Sequence, residues 1–155
     1  MPTLEDQFPR LRRTADDLSA ALRGKPEPAG ASRPAENAWA AKEIVCHLRD
    51  TEEVFQNRFR AILDENDPKF TPLNTDGLAV ERQYLKDDLT KALEAFRTRR
   101  QANLKLLAGL TPEQAERGGL HPTRGRMTIK DFVTLMASHD DTHLEQLKRA
   151  LDGKP

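Results

Sequence analysis

Residues 131–147 read DFVTLMASHDDTHLEQL, and the repeat within this stretch decides how the rest of the chain is read. Its seam begins one turn earlier and runs Ile129, Phe132, Met136, His139, His143, Leu147 and Ala150. That spacing by threes and fours is one face of an α-helix. His139 and His143 stand four residues apart, so their imidazoles lie one above the other and point the same way. Both interrupt the apolar stripe instead of decorating the solvent face. An unpartnered imidazole in a protein interior is costly, and a metal ion shared by the pair would remove that cost.

The same periodicity recurs upstream. A first helix is expected over about residues 4–23, with the stripe Leu4, Phe8, Leu11, Ala15, Leu18 and Leu22. Pro9 marks either its first turn or a kink. Residues 24–36 (GKPEPAGASRPAE) carry no period and read as a linker. A second helix is expected over about 40–63, with Ile44, His47 or Leu48, Val54, Phe55, Phe59 and Ile62 inward and Trp39 as an N-terminal staple. A third, over about 78–108, carries Val80, Tyr84, Leu85, Leu89, Leu93, Phe96, Leu104 and Leu107, with Gly109 as its stop. Thr111-Pro112-Glu113-Gln114 is a capped start for a short turn, and residues 121–127 (HPTRGRM) read as a basic loop. Thr128 caps the last helix, which is expected to run to about Leu151. Four long helices with extended connections make a four-helix bundle. The fold class expected is all-α, as one domain over residues 1–155.

Composition agrees with that reading. Aromatic residues are only 5% of the 155, and lysine plus arginine equal aspartate plus glutamate at 25 each, so the formal net charge is zero. Nucleic-acid binding normally leaves a basic excess, and none is present. No apolar run approaches the length of a membrane span, and MPTLEDQFPRLRR at the N-terminus lacks the apolar core of a signal peptide. The single cysteine, Cys46, cannot close a disulfide within the chain. These features lead us to expect a soluble, cytoplasmic protein acting on a small molecule, with neither nucleic acid nor membrane as partner.

A metal site needs more than two imidazoles. His47 falls in AKEIVCHL (residues 41–48), one turn after Ile44 on the inward side of the second helix. A bundle allows it to meet His139 and His143, and three imidazoles leave coordination positions open, as catalytic metal sites do. Imidazole suits zinc, nickel, iron(II) or copper. The HExxH metalloprotease pattern is absent, because Asp140 stands where its glutamate would follow the first histidine. Histidine pairs at this spacing also occur on helices that bind nothing, so spacing alone leaves a core reading open.

Two segments carry a resemblance: WAAKEIVCHLRDTEEVFQNRFR (residues 39–60) and RGRMTIKDFVTLMASHDDTHLEQL (residues 124–147). With a histidine early in the second helix and HxxxH followed by xxQL in the last, the chain resembles the DinB-like superfamily of four-helix-bundle metalloproteins, DinB/YfiT-like, over nearly its whole length. The resemblance implies that His47, His139 and His143 are the metal ligands. It implies a divalent transition metal, zinc or nickel first and iron or manganese next, and a homodimer. It also implies metal-dependent hydrolysis, or transfer of a low-molecular-weight thiol of the bacillithiol or mycothiol kind. A non-catalytic damage- or stress-response protein, or a binding protein, with a structural or vestigial metal site is the alternative. Ala40 departs from the pattern, since relatives often carry Ser or Thr there as a helix cap.

Around the three histidines, Asp50, three residues after His47, is the candidate to orient an imidazole through its other nitrogen, and Gln146, three residues after His143 on the same face, to hydrogen-bond a ligand or a bound water. The competing expectations are an ion pair for Asp50 and the cap of a buried polar patch for Gln146. Asp140 and Asp141 are expected on a solvated face and His121 at the surface, with the mouth of the bundle as its alternative. Arg58, Arg124 and Arg126 are expected as solvated charges, with attraction of an anionic substrate as their functional alternative. Cys46 points away from His47 and is read as core, not as a nucleophile.

Overall fold

The computed structural model describes residues 3–155. Its helices are α1 (Phe8–Leu22), α2 (Glu27–Gly30), α3 (Ala41–Asp64), α4 (Thr75–Glu81), α5 (Leu89–Ala108), α6 (Pro112–Ala115) and α7 (Ile129–Leu151). Strands β1 (Gly118–His121) and β2 (Gly125–Thr128) stand between α6 and α7. The long helices α1, α3, α5 and α7 form a four-helix bundle in which α1 and α3 each pack against both α5 and α7. Successive helices α1 and α3 therefore stand on a diagonal, as do α5 and α7.

Two apolar clusters fill the bundle. One takes Phe8 and Leu11 from α1, Phe55, Phe59 and Ile62 from α3, Leu107 from α5, and Phe132 and Met136 from α7. The other takes Leu18, then Ile44 and Leu48, then Phe96, then Leu144 and Leu147 from the same four helices. The order in which each helix visits the clusters makes α1 parallel to α7 and α3 parallel to α5, with the two pairs opposed. Parallel neighbours and diagonal successors cannot be joined by tight turns, which is why all three connections are long. Each large side chain fully buried in these clusters contributes about 1.5–3 kcal/mol.

Between the clusters all four helices surrender the apolar seam at one level, where Thr14, Glu52, Arg100, Asn103 and Asp140 are buried. The Arg100 guanidinium donates to both oxygens of Glu52 (2.8 and 2.8 Å), both oxygens of Asp140 (2.7 and 2.9 Å) and the Leu11 carbonyl (2.9 Å). Asn103 adds a hydrogen bond to Glu52, and the Thr14 hydroxyl donates to Asp140. Burial works against the Arg100 charge, but Glu52 and Asp140 outweigh it and hold the guanidinium pKa above its ordinary value. Asp140 is thus a correction: expected on a solvated face, it is fully buried, because α7 is covered by α1 as well as α3. Asp141 is exposed as expected and pairs with Arg10 at 2.6 Å.

Other expectations change in the connections. The single third helix over 78–108 is broken into α4, a 3-10 turn at Tyr84–Lys86, and α5. Gln83 takes a left-handed φ of 52°, Tyr84 turns inward to give its hydroxyl to Asp50 (2.6 Å), and Asp88 caps a new helix by accepting from Lys91 N–H (3.0 Å). Val80, expected inside, is 76% exposed. The basic loop over 121–127 is part of an antiparallel hairpin, Gly118 opposite Thr128 and His121 opposite Gly125. Residues 68–70 dock along its edge, with Leu120 N–H donating to Pro68 O (2.7 Å) and Phe70 N–H to Leu120 O (3.0 Å). Gly119 permits that approach, since a Cβ there would stand 2.5 Å from the Phe70 ring. The linker over 24–36 contains the short α2. Pro9 is the second residue of α1, in the first turn, where a proline is tolerated. Ala40 offers α3 no side-chain oxygen; the Glu43 carboxylate accepts the Ala40 N–H instead (3.0 Å) and is itself held by Arg33.

Candidate metal site

Adjacent packing of α3 and α7 brings three imidazoles together. The Nε2 atoms of His47, His139 and His143 are separated by 3.2, 3.1 and 3.1 Å. His47 is buried and the other two are half-buried. Trp39 lies with its ring 5.0 Å from that of His47, and Phe55 meets His139 edge-on at 6.1 Å. Burial, reinforced by the neighbouring imidazoles, lowers the pKa of His47 to about 3 and that of His139 to about 4. Burial also holds His143 below the usual histidine range, against the opposing pull of Gln146. All three rings are therefore neutral at neutral pH.

The donor set fits a divalent ion. His143 Nδ1–H donates to Gln146 Oε1 at 2.7 Å, a tautomer that leaves its Nε2 with a free lone pair. With all three rings in that tautomer, the crowded lone pairs would repel unless a positive charge stood among them. With metal–nitrogen distances of about 2.0–2.1 Å, ligand nitrogens sit roughly 2.9 Å apart at right angles and about 3.4 Å apart at tetrahedral angles. The observed separations fall between those limits. Among the described residues this trio is the group of histidine, cysteine and acidic side chains whose ligand atoms come close enough to hold one ion.

Gln146 stands where a ligand-orienting residue is expected. Asp50 does not: its carboxylate accepts from Tyr84 (2.6 Å) and pairs with Arg49 (3.0 Å) and Arg82 (3.0 Å), the ion-pair alternative. Burial pushes the Asp50 pKa up, but hydrogen bonds from Arg49 and Tyr84 leave it below the ordinary value. Cys46 is buried beside Asp87, and burial drives its thiol pKa up to about 12. A cleft of about 280 Å³ opens onto His47 and His139, walled by Phe55, Leu73, Arg58 and His121. The surface reading is thus corrected for both: His121 takes the alternative place at the mouth of the bundle, because the hairpin carries it back over α3, and Arg58 is half-buried beside it. Arg124 is exposed, and exposed Arg126 pairs with Asp67 at 3.0 Å. The roles of Trp39 and Phe55 at the site were not readable from helix periodicity, although Trp39, two residues ahead of α3 and eight ahead of His47, was a signal.

The sequence pattern of the DinB superfamily matches residues 10–147. The chain belongs to the DinB superfamily. A provisionally assigned metal-dependent hydrolase of Oceanobacillus iheyensis is 24% identical over 120 residues, 76% of this chain and 68% of its own length. Among solved structures, YfiT of Bacillus subtilis, described as a four-helix bundle of unusual topology, superposes with a TM-score of 0.88 at 20% identity, over 95% of this chain and 85% of that one. TT2238, a four-helix bundle protein, superposes with a TM-score of 0.69 at 20% identity, over 94% of this chain and 98% of its own. No helix among the described residues is long and apolar enough to cross a membrane. Within the DinB superfamily, this chain places its histidine trio on α3 and α7.

Proposed function

We propose that this protein is a metal-dependent hydrolase acting on a small molecule, with one divalent transition metal held by His47, His139 and His143. The observation that carries the reading is the convergence of three neutral imidazoles on one point, two of which, His47 and His139, line an open cleft. The provisional hydrolase assignment of the Oceanobacillus iheyensis relative supports it. Zinc or nickel suits three imidazoles best, with iron or manganese as alternatives. When bound, such an ion supplies a Lewis acid with positions open to substrate. Gln146 keeps the His143 proton on Nδ1, Trp39 and Phe55 hold the rings of His47 and His139, and the apolar wall limits water.

A second reading, transfer of a low-molecular-weight thiol, is favoured by one feature. The cleft lining contains no carboxylate to serve as a general base, and a thiolate needs none. Metal analysis of protein purified without added metal tests the common premise: about one equivalent is expected in the wild type and none in His143→Ala. A wild type without affinity for any divalent ion removes both enzymatic readings and leaves a binding or stress-response role, and a His143→Ala variant that keeps a tight equivalent refutes the ligand assignment. Assays of small ester and amide hydrolysis against thiol conjugation to an electrophile then separate the two chemistries.

A further inference from the structure

The cleft contains a cation that pairs with no carboxylate among the described residues. Arginines that leave the surface elsewhere find a partner: Arg10, Arg49, Arg97, Arg99 and Arg100 pair with carboxylates, and Arg117 donates to the carbonyls of Ile62 and Glu65. Half-buried Arg58 pairs with no carboxylate among the described residues and makes one long hydrogen bond, to the Thr71 carbonyl at 3.4 Å. Its guanidinium lies over the rings of Phe70 (5.2 Å) and Phe132 (5.9 Å), which fix its plane without consuming its remaining N–H donors. Burial without a counter-charge also pulls its pKa below the usual arginine value.

Beside it, His121 accepts from the backbone N–H groups of Thr123 (3.1 Å) and Arg124 (3.2 Å) through Nδ1. That leaves the proton of the neutral ring on Nε2, which has no protein partner among the described residues. Arg58 and His121 therefore both present donors to this end of the cleft, and the lining holds no carboxylate to repel an anion. Val54, Phe55, Pro72, Leu73 and Pro122 make most of the remaining lining apolar, with Thr51, Thr75 and Thr123 between them.

We propose that Arg58 and His121 are the specificity anchor of the cleft and that its substrate is a small molecule with a carboxylate on an apolar body. The substrate class rests on the metal-dependent reading; the anchor itself does not. One guanidinium fork matches one monoanionic carboxylate in charge and geometry.

Binding of a series of apolar acids from butyrate to 3-phenylpropionate, each against its primary amide, to the full-length protein as purified tests the proposal by NMR titration at pH 7.5. At least one acid is expected to bind about tenfold or more tightly than its amide, as a charged hydrogen-bond pair implies. Arg58→Met is expected to abolish that preference with metal content unchanged. His121→Gln should weaken acid binding by a smaller factor and leave the amide unaffected. Should Arg58→Met fail to fold, Arg58→Lys decides: loss of the fork lowers acid affinity several-fold and spares the amide. Equal binding of acids and amides, binding of no acid, or a preference that survives substitution of Arg58 overturns the anchor. The last outcome would mean that the carboxylate sits on the ion. A protein that retains no metal but shows Arg58-dependent acid binding refutes the metal reading and leaves the anchor standing.

Discussion

Replacing Arg100 with methionine strikes the layer that separates the two apolar clusters. Arg100 is 3% exposed, and the change removes four hydrogen bonds of 2.7–2.9 Å to two carboxylates and one of 2.9 Å to the Leu11 carbonyl. Methionine fills much of the volume, so the loss is electrostatic and not a cavity. Breaking one buried ion pair by deleting a partner costs about 3–5 kcal/mol, because a charge is left uncompensated. Here two carboxylates, Glu52 and Asp140, are stranded at once, which places the loss near 5 kcal/mol on that scale. Against a total stability of about 5–15 kcal/mol, that is a large fraction. With a urea slope of about 2–3 kcal/mol per M, the midpoint followed by circular dichroism should fall by roughly 2 M. The companion variant Glu52→Gln/Arg100→Met/Asp140→Asn leaves no buried charge in this layer and should regain at least half of the loss. A single variant within about 1 kcal/mol of wild type, or a triple variant no more stable than the single, would show that the network is not held by charge compensation.

Gln146→Leu should weaken metal binding about 10–100-fold in chelator competition while the helical signal is unchanged; unchanged affinity would remove Gln146 from the site. The histidines also set a pH dependence for the metal-free protein. Their pKa values are about 3 for His47 and about 4 for His139 when folded, against about 6.5 unfolded, so the unfolded chain binds more protons below pH 6.5. Stability is then fully present above that pH and falls on acidification, by about 2 kcal/mol per imidazole between pH 8 and pH 5; a melting temperature flat over that interval would contradict the buried trio. Cys46, buried and with its thiol pKa raised to about 12, should resist Ellman's reagent in native buffer at pH 7.5 and react at once in guanidinium. Labelling of the native protein within minutes would refute its burial.

Much of the fold was legible because its signals are local. The stripes from Leu4 to Leu18 and from Ile129 to Ala150 recur at helical spacing, and Thr111 and Thr128 both cap as their side chains require. The hairpin was not legible: its strands are four residues each, carry three glycines between them and lack a β-branched run. The break between α4 and α5 was hidden because Tyr84 and Leu85 keep a helix-like spacing while Gln83 reverses the backbone. Of the candidate site, the i, i+4 pair and Gln146 could be read directly, since both lie on one helix.

What the sequence by itself determined is the number of long helices, the face that α1, α3 and α7 turn inward, and the placing of His139, His143 and Gln146 on one stripe. What only the tertiary structure decided is the approach of His47 to that pair, the burial of Asp140, and the return of His121 and Arg58 to the same cleft. The division has one physical cause. Helical periodicity states where a side chain points relative to its own axis, whereas solvent, counter-charge and ligand are defined by what stands opposite. Asp140 points about 100° from His139 in any helix, and only the presence of α1 and Arg100 on that side turned a surface carboxylate into a buried one.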